Sequence, residues 1–177
     1  MTTSTLEQLV PAGTWHVDPT HSQIDFSVRH LGISTVRGTF SGVTATLEGG
    51  DAPTLTGSID PATVSTRDEQ RDAHLASPDF FDVDRYPEAT FTATFIAPDR
   101  VVGELTLKGV TREIELAATY TQPADDPYGN ERVGIDLEGE INRSDFGVSF
   151  NFPLPTGGLA LAETVKLLAS LSFVKEA

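Results

Sequence analysis

The sequence contains no cysteine. That excludes disulfides, thiol nucleophiles, CxxC redox motifs and thiolate zinc sites, so any metal would have to be held by histidine and carboxylate. Basic residues are also scarce: 12 Lys and Arg stand against 26 Asp and Glu, for a formal net charge of −14. A chain this acidic is repelled by phosphate backbones and by anionic membrane surfaces, and nucleic acid is not an expected partner. No apolar run approaches the roughly 20 residues of a membrane-spanning helix. The first residues, MTTSTLEQLVPAG, lack the basic start and apolar core of a secretion signal. The expectation is a cytoplasmic protein with no transmembrane segment.

The 177 residues suit one domain with a sizeable core, or one barrel with an interior cavity. Residues 1–12, mostly small, polar or acidic, read as a flexible tail, and residues 13–177 as a single domain. Beyond the tail a period-two pattern dominates, broken by Gly, Pro, Asp and Asn as in an all-β meander. In Gln23–His30, the residues Ile24, Phe26, Val28 and His30 share one face. A long strand follows from about Thr35 to Leu47, with Gly38 and Gly42 marking a bulge or bend. Leu55, Gly57 and Ile59 point one way, as do Phe91 and Phe95 in EATFTATFIA. Further apolar faces are Val101/Gly103/Leu105/Leu107, Ile114/Leu116/Ala118/Tyr120, Val133/Ile135/Leu137/Gly139/Ile141 and Val165/Leu167/Ala169/Leu171/Phe173. One face of each strand is therefore buried and the other wet.

One segment departs from this rhythm. In STRDEQRDAHLASP, Thr66 and Glu69 have the spacing of a capping box, Asp68 suits a first helical turn and Pro78 ends the element. This places a helix at about 67–76, and a shorter helical turn is expected near Asn142–Gly147. About eight strands with so little helix leave a closed antiparallel barrel or a two-sheet sandwich, and the bent strand at 35–47 favours closure.

An eight-stranded barrel is either filled by its own side chains or just wide enough for one small ligand. Gly103, Ala118, Gly139 and Ala169 each interrupt a row of large residues. They either leave an elongated apolar space or let facing layers interdigitate, and both readings stand at this point. On the helix, Arg67, Arg71 and His74 fall at i, i+4 and i+7, a stripe that could hold a phosphate, a phenol or a quinone carbonyl. The simpler alternative pairs the arginines with the chain's many carboxylates. Asp18 precedes His21 by three residues and could orient its imidazole. A metal held by His16, His21, His30 or His74 with Asp18, Asp79 or Asp82 has no supporting spacing. His21 and His74 are its weak candidates, and hydrogen-bonded structural histidines are the commoner outcome. There is no GxSxG, no serine with a recognisable base, and no carboxylate pair that stands out; no catalytic residue is assigned. Asn142-Arg143-Ser144 matches a glycosylation acceptor by chance.

Four stretches, WHVDPTHSQIDFSVRHLGISTVRGTF, RDAHLASPDFFDVDRYPEATF, GELTLKGVTREIEL and INRSDFGVSF, in this order and spacing, resemble the YceI-like, polyisoprenoid-binding proteins. Gly13-Thr14-Trp15 also has the GxW pattern seen where lipocalin barrels begin. The resemblance implies an all-β fold: an eight-stranded antiparallel lipocalin-like β-barrel with the short helix near its mouth. Its lumen would take up an isoprenoid amphiphile, a polyprenyl lipid or isoprenoid quinone, for transport, storage or sequestration. Carried over by position, Phe26, Val28, Phe40, Phe91 and Phe95 would line or cap the lumen and Phe80 and Phe81 would close its mouth. His21, His30, Arg71, Asp72 and His74 fall in the matching motifs. The inward residues Leu105, Ala118, Leu137 and Ala169 complete the expected ligand-binding set.

No enzymatic activity and no cofactor beyond the bound lipid are expected. The alternatives are a His/carboxylate enzyme or metal-binding barrel acting on a hydrophobic substrate, and a stress-related interaction protein with a dry core. An apolar outer patch, as such barrels often present, would suit a homodimer, though no motif requires one. Two departures from the family stand out. Many members are exported whereas no signal peptide is visible here, and GGLALAETVKL, leading into the last strand, is more apolar than usual.

Overall fold

Period-two alternation becomes strand throughout the chain. The computed structural model describes residues 5–177. Its strands are β1 Gly13–Val17, β2 Gln23–His30, β3 Ser34–Phe40, β4 Val43–Gly49, β5 Thr54–Ile59, β6 Ala89–Ile96, β7 Arg100–Leu107, β8 Val110–Asp125, β9 Glu131–Asn142 and β10 Leu161–Lys175. The α-helices among the described residues are α1 Leu6–Leu9 and α2 Glu69–Ala76. A single 3-10 turn, Arg143–Phe146, occupies the expected second helical segment.

The strands close in the order β1-β4-β5-β6-β7-β8-β9-β10, with β10 returning to β1, all antiparallel. This is the eight-stranded barrel expected from the sequence, and closure leaves the ring without a free edge. β2 and β3 extend the ring at one end. After the turn Pro19–His21, β2 runs on along β10, with Ser170 opposite Gln23 and Leu161 opposite His30, and β3 pairs with β2. The strand expected over 35–47 is broken in two at Ser41 and Gly42. The Thr63 hydroxyl accepts both of their backbone N–H groups at 3.1 Å, and Asp60 N–H donates to the Gly42 carbonyl at 2.9 Å. Residues 60–88, including α2, then pack against the β2–β3 end, where the Phe81 ring meets Phe26 and Phe40 edge-on.

The two ends of the barrel differ. At one, Trp15, Leu47, Val101 and Phe173 are fully buried against each other and their neighbours, as an interior packed to crystal density requires. Part of the segment expected to be a flexible tail seals this end: α1 is helical, Leu9 and Val10 are buried in the same cluster, and Gly50 N–H donates to the Val10 carbonyl at 3.0 Å. The indole Nε1–H of Trp15 donates to the Pro11 carbonyl at 3.0 Å. Apolar Leu9 and Val10, set in a polar stretch, find the open end of the barrel and bury there. Met1 to Ser4 lie outside the described residues.

Helix α2 begins two residues later than expected and with a different cap. The carboxylate of Asp68 accepts Arg71 N–H at 2.9 Å, while the Thr66 hydroxyl donates to Asp72 at 2.6 Å and makes no cap. Arg67 stands at φ +64° outside the helix, so the expected three-residue basic stripe is reduced to Arg71 and His74. An anionic oxygen is the better acceptor for a first-turn N–H, and Asp68 wins the position.

Candidate functional site: the lumen

The inward rows that meet in a dry core at the sealed end diverge toward the other, where they enclose a cavity of about 390 Å³. Its size is in the range of small-molecule sites. Phe26, Val28, His30, Phe40, Arg71, His74, Phe80, Phe81, Phe91, Leu105, Leu137 and Ala169 line it. Leu55, Leu116, Leu137 and Leu171 face it while also belonging to the packed cluster, so they form its floor.

Two expected lining residues lie elsewhere. Ala118 is buried in the packed cluster below the floor. Phe95 is 50 % exposed, with the Arg100 guanidinium 5.4 Å from its ring centre. A β-bulge causes this: Ala93 pairs with Gly103 but Phe95 with Val102, so Thr94 is extra and the strand beyond it turns over. Ile96 takes the inward place and packs against the core.

The small residues act in a way that neither reading of the sequence contained. A Cβ on Gly38 would overlap the Phe26 ring, and one on Gly103 would meet the Phe91 ring at 2.5 Å. One on Gly139 would meet Leu116 Cδ2 at 2.6 Å. The glycines are thus occupied by neighbouring side chains, which lie back along the wall. The hollow is in the middle, where those rings would otherwise point.

The lining is almost wholly apolar. Its ionisable members are His30, Arg71, His74 and Arg143, and no Asp or Glu is among them, although the chain has 26. Arg71 donates from Nε to the Thr66 hydroxyl at 2.7 Å and from Nη2 to the Thr66 carbonyl at 2.8 Å. Among the described residues it has no carboxylate within ion-pair distance. His74 Nε2 lies 2.8 Å from Asp79 Oδ2, and its ring packs edge-on between Phe80 and Phe150, each 5.0 Å away.

Arg143 was not among the expected site residues. Its side chain is buried, and burial holds the guanidinium below its ordinary pKa. Nε donates to the Ala162 carbonyl, and Nη1 to those of Val148 and Phe150, at 2.7 to 2.9 Å. Nη2 has no hydrogen-bond partner. The signal that would have found it is positional: Gly139, Ile141 and Arg143 continue the inward row of β9 at period two into the turn.

The remaining histidines are remote from the lumen. Asp18 accepts from the Thr20 hydroxyl, from His21 at 2.8 Å and from Arg132 Nη1 at 2.9 Å, beside the sealed end. These donors, Thr20 first, hold its carboxyl well below the ordinary range. His21 therefore satisfies the turn, as its spacing from Asp18 suggested, while His30 reaches the cavity, as His74 does. His16 meets Glu176 at 3.2 Å on the surface. Among the described residues no three His, Asp or Glu side chains converge as metal ligands, and no helix is long and apolar enough to cross a membrane.

Known proteins share this architecture. The chain is 37% identical over 161 residues to the UPF0312 protein SAS2572 of Staphylococcus aureus strain MSSA476, covering 88% of this chain and 94% of that one. BcnA of Burkholderia cenocepacia superposes with a TM-score of 0.76 at 25% identity, covering 88% of this chain and 98% of that one. A polyisoprenoid binding domain from Saccharophagus degradans superposes with a TM-score of 0.68 over 92% of this chain and 98% of that domain; at 17% identity the likeness is one of fold. The YceI-like domain model matches residues 15–173, from the Trp15 of the sealed end to the last inward residue of β10. The chain belongs to the YceI-like family.

Proposed function

We propose that the protein takes up an isoprenoid amphiphile, a polyprenyl lipid or an isoprenoid quinone, in its lumen, and that it transports, stores or sequesters this ligand without chemically altering it. The carrying observation is the 390 Å³ apolar cavity above a packed floor. Burying a chain there gains roughly 0.8 kcal/mol per CH2, against about 4–15 kcal/mol for association, so a chain of about 20 carbons carries the affinity. Every ionisable side chain on the lining is a donor or can become one, which suits a headgroup of acceptor oxygens: a carbonyl, a hydroxyl or a phosphate. The Saccharophagus degradans domain is described as polyisoprenoid binding; for this chain the reading rests on its own lumen and on the family.

Solvent extraction of the purified protein followed by mass spectrometry tests the proposal. A prenyl-chain amphiphile in near-stoichiometric amount is the expected result. Protein that emerges empty and takes up no geranylgeraniol on incubation would overturn it. Should the protein be an enzyme acting through His74 and Asp79, a converted product would appear and would be lost in His74→Ala; a binding protein returns the ligand unchanged.

A further inference from the structure

Two loops form one sector of the cavity's rim: the β2–β3 turn, and the segment 150–160 leading into β10. They are tied by backbone, with Leu31 N–H donating to the Ala160 carbonyl at 2.7 Å and Ala160 N–H to the Phe152 carbonyl at 2.9 Å. Leu31, Ile33, Phe152 and Leu159 stand exposed on them, Ile33 at 78 %. Monomeric proteins seldom leave large apolar side chains clustered in water without an interaction to make. The cluster is continuous with the lumen, since Phe152 of these loops lines it together with His30 and Leu161 at the strand ends that flank them.

Charge singles out the same sector. No Asp or Glu occurs from Phe26 to Leu47 or from Phe146 to Ala162, and the charged residues in those two stretches are Arg29 and Arg37. The adjoining part of the rim, α2 and its flanks, meets this sector where His74 packs on Phe150 and Phe150 on Phe152, and it carries Asp68, Glu69, Asp72 and Asp79. In a chain of net charge −14, one apolar, acid-free, arginine-bearing sector has been kept beside the mouth. A second copy docked through the same sector about a two-fold axis would set Arg29 and Arg37 against themselves. A bilayer surface accepts both the apolar side chains and the arginines. The acids of the sealed end, a barrel's length away, are screened beyond roughly 8 Å at physiological salt.

We propose that this sector docks on the surface of a lipid bilayer, with the mouth of the lumen against it. The docking goes beyond the lumen reading, because a cavity could fill from solution without it. It gives an apolar ligand a path between bilayer and lumen that does not cross water.

Cosedimentation of the full chain with vesicles of phosphatidylcholine, alone and with about one fifth phosphatidylglycerol, tests the proposal. The protein should partition onto both, more strongly onto the second, and Ile33→Asp with Leu159→Asp should lower partitioning about tenfold or more. Neither residue lines the cavity, so equilibrium uptake of geranylgeraniol supplied from solution should be unchanged. Tyr128→Asp removes an aromatic side chain that is 88 % exposed near the sealed end, and should have no effect. Absence of partitioning onto either vesicle overturns the docking, as does an equal loss with Tyr128→Asp. A dimer in sedimentation velocity that the Ile33/Leu159 variant abolishes, without vesicle binding, assigns the sector to a second copy and overturns it too. A protein that binds vesicles but extracts empty would sink the lumen proposal and leave the docking standing.

Discussion

The two ends of the barrel are built from the same strands and put them to opposite use. At the sealed end Trp15, Leu47, Val101 and Phe173 fill the section completely. At the mouth the large side chains are no smaller: Phe26, Phe40 and Phe81 meet one another, as do Phe80, Phe150 and His74. They pack in groups along the wall, so an aromatic-rich end can be the hollow one. Ring placement, more than side-chain volume, decides between core and cavity. Aromatic edge-to-face pairs contribute about 0.5–1.5 kcal/mol each beyond area burial, which helps hold the rings at the wall.

The largest expected effect breaks this contrast from the packed side. Trp15→Ala removes a fully buried indole and the Pro11 contact of the plug, and should cost about 3–5 kcal/mol. Val28→Ala, on the wall of an existing void, leaves little new cavity and should cost about 1–2 kcal/mol, mostly the transfer of two methyl groups. Urea unfolding of both variants measures the gap. Equal losses would mean that the lumen wall is as tightly packed as the floor.

A smaller change should convert the hollow end toward the packed one. Behind Gly38 the three atoms nearest a Cβ belong to the Phe26 ring, the movable end of a side chain. Gly38→Ala should therefore swing that ring into the lumen. Ligand uptake is expected to fall about tenfold, equivalent to about 1.4 kcal/mol, with thermal stability nearly unchanged. Unaltered uptake would show that the ring has room elsewhere and that Gly38 does not keep the cavity open.

This dependence explains what could be read from the sequence and what could not. The rows of β7 to β10 were legible because a buried face repeats every second residue, and the His21–Asp18 contact because it is local. The outward turn of Phe95 was not, because Thr94 fits a strand and a bulge equally well and the choice is made by pairing with β7. The plug at Leu9 and Val10 was missed because its helical spacing, Leu6, Leu9 and Val10 at i, i+3 and i+4, spans barely one turn in a polar stretch. Gly38 looked like a bend because the ring that fills its place comes from the neighbouring strand.

The smallest effect sharpens the contrast by pH. Beside the sealed end, Arg132 donates to Asp18 and Asp126, and both carboxyls are held well below their ordinary range: Asp18 chiefly by the Thr20 hydroxyl and Asp126 chiefly by Arg132 itself. A carboxyl with a depressed folded-state pKa stabilises the fold above its unfolded value, near 3.9, and that contribution is lost as pH falls through the folded value. Asp18→Asn should therefore lower the melting temperature modestly and constantly from pH 8 to about pH 5. The gap to the parent should begin to close only below about pH 4, where the parent's carboxyls take up protons. The lumen lining has no carboxylate, so ligand affinity should show no such step in that acid range. A melting-temperature gap that already shrinks between pH 7 and 5 would show that the Asp18 carboxyl is not the group through which acid acts on this end of the barrel.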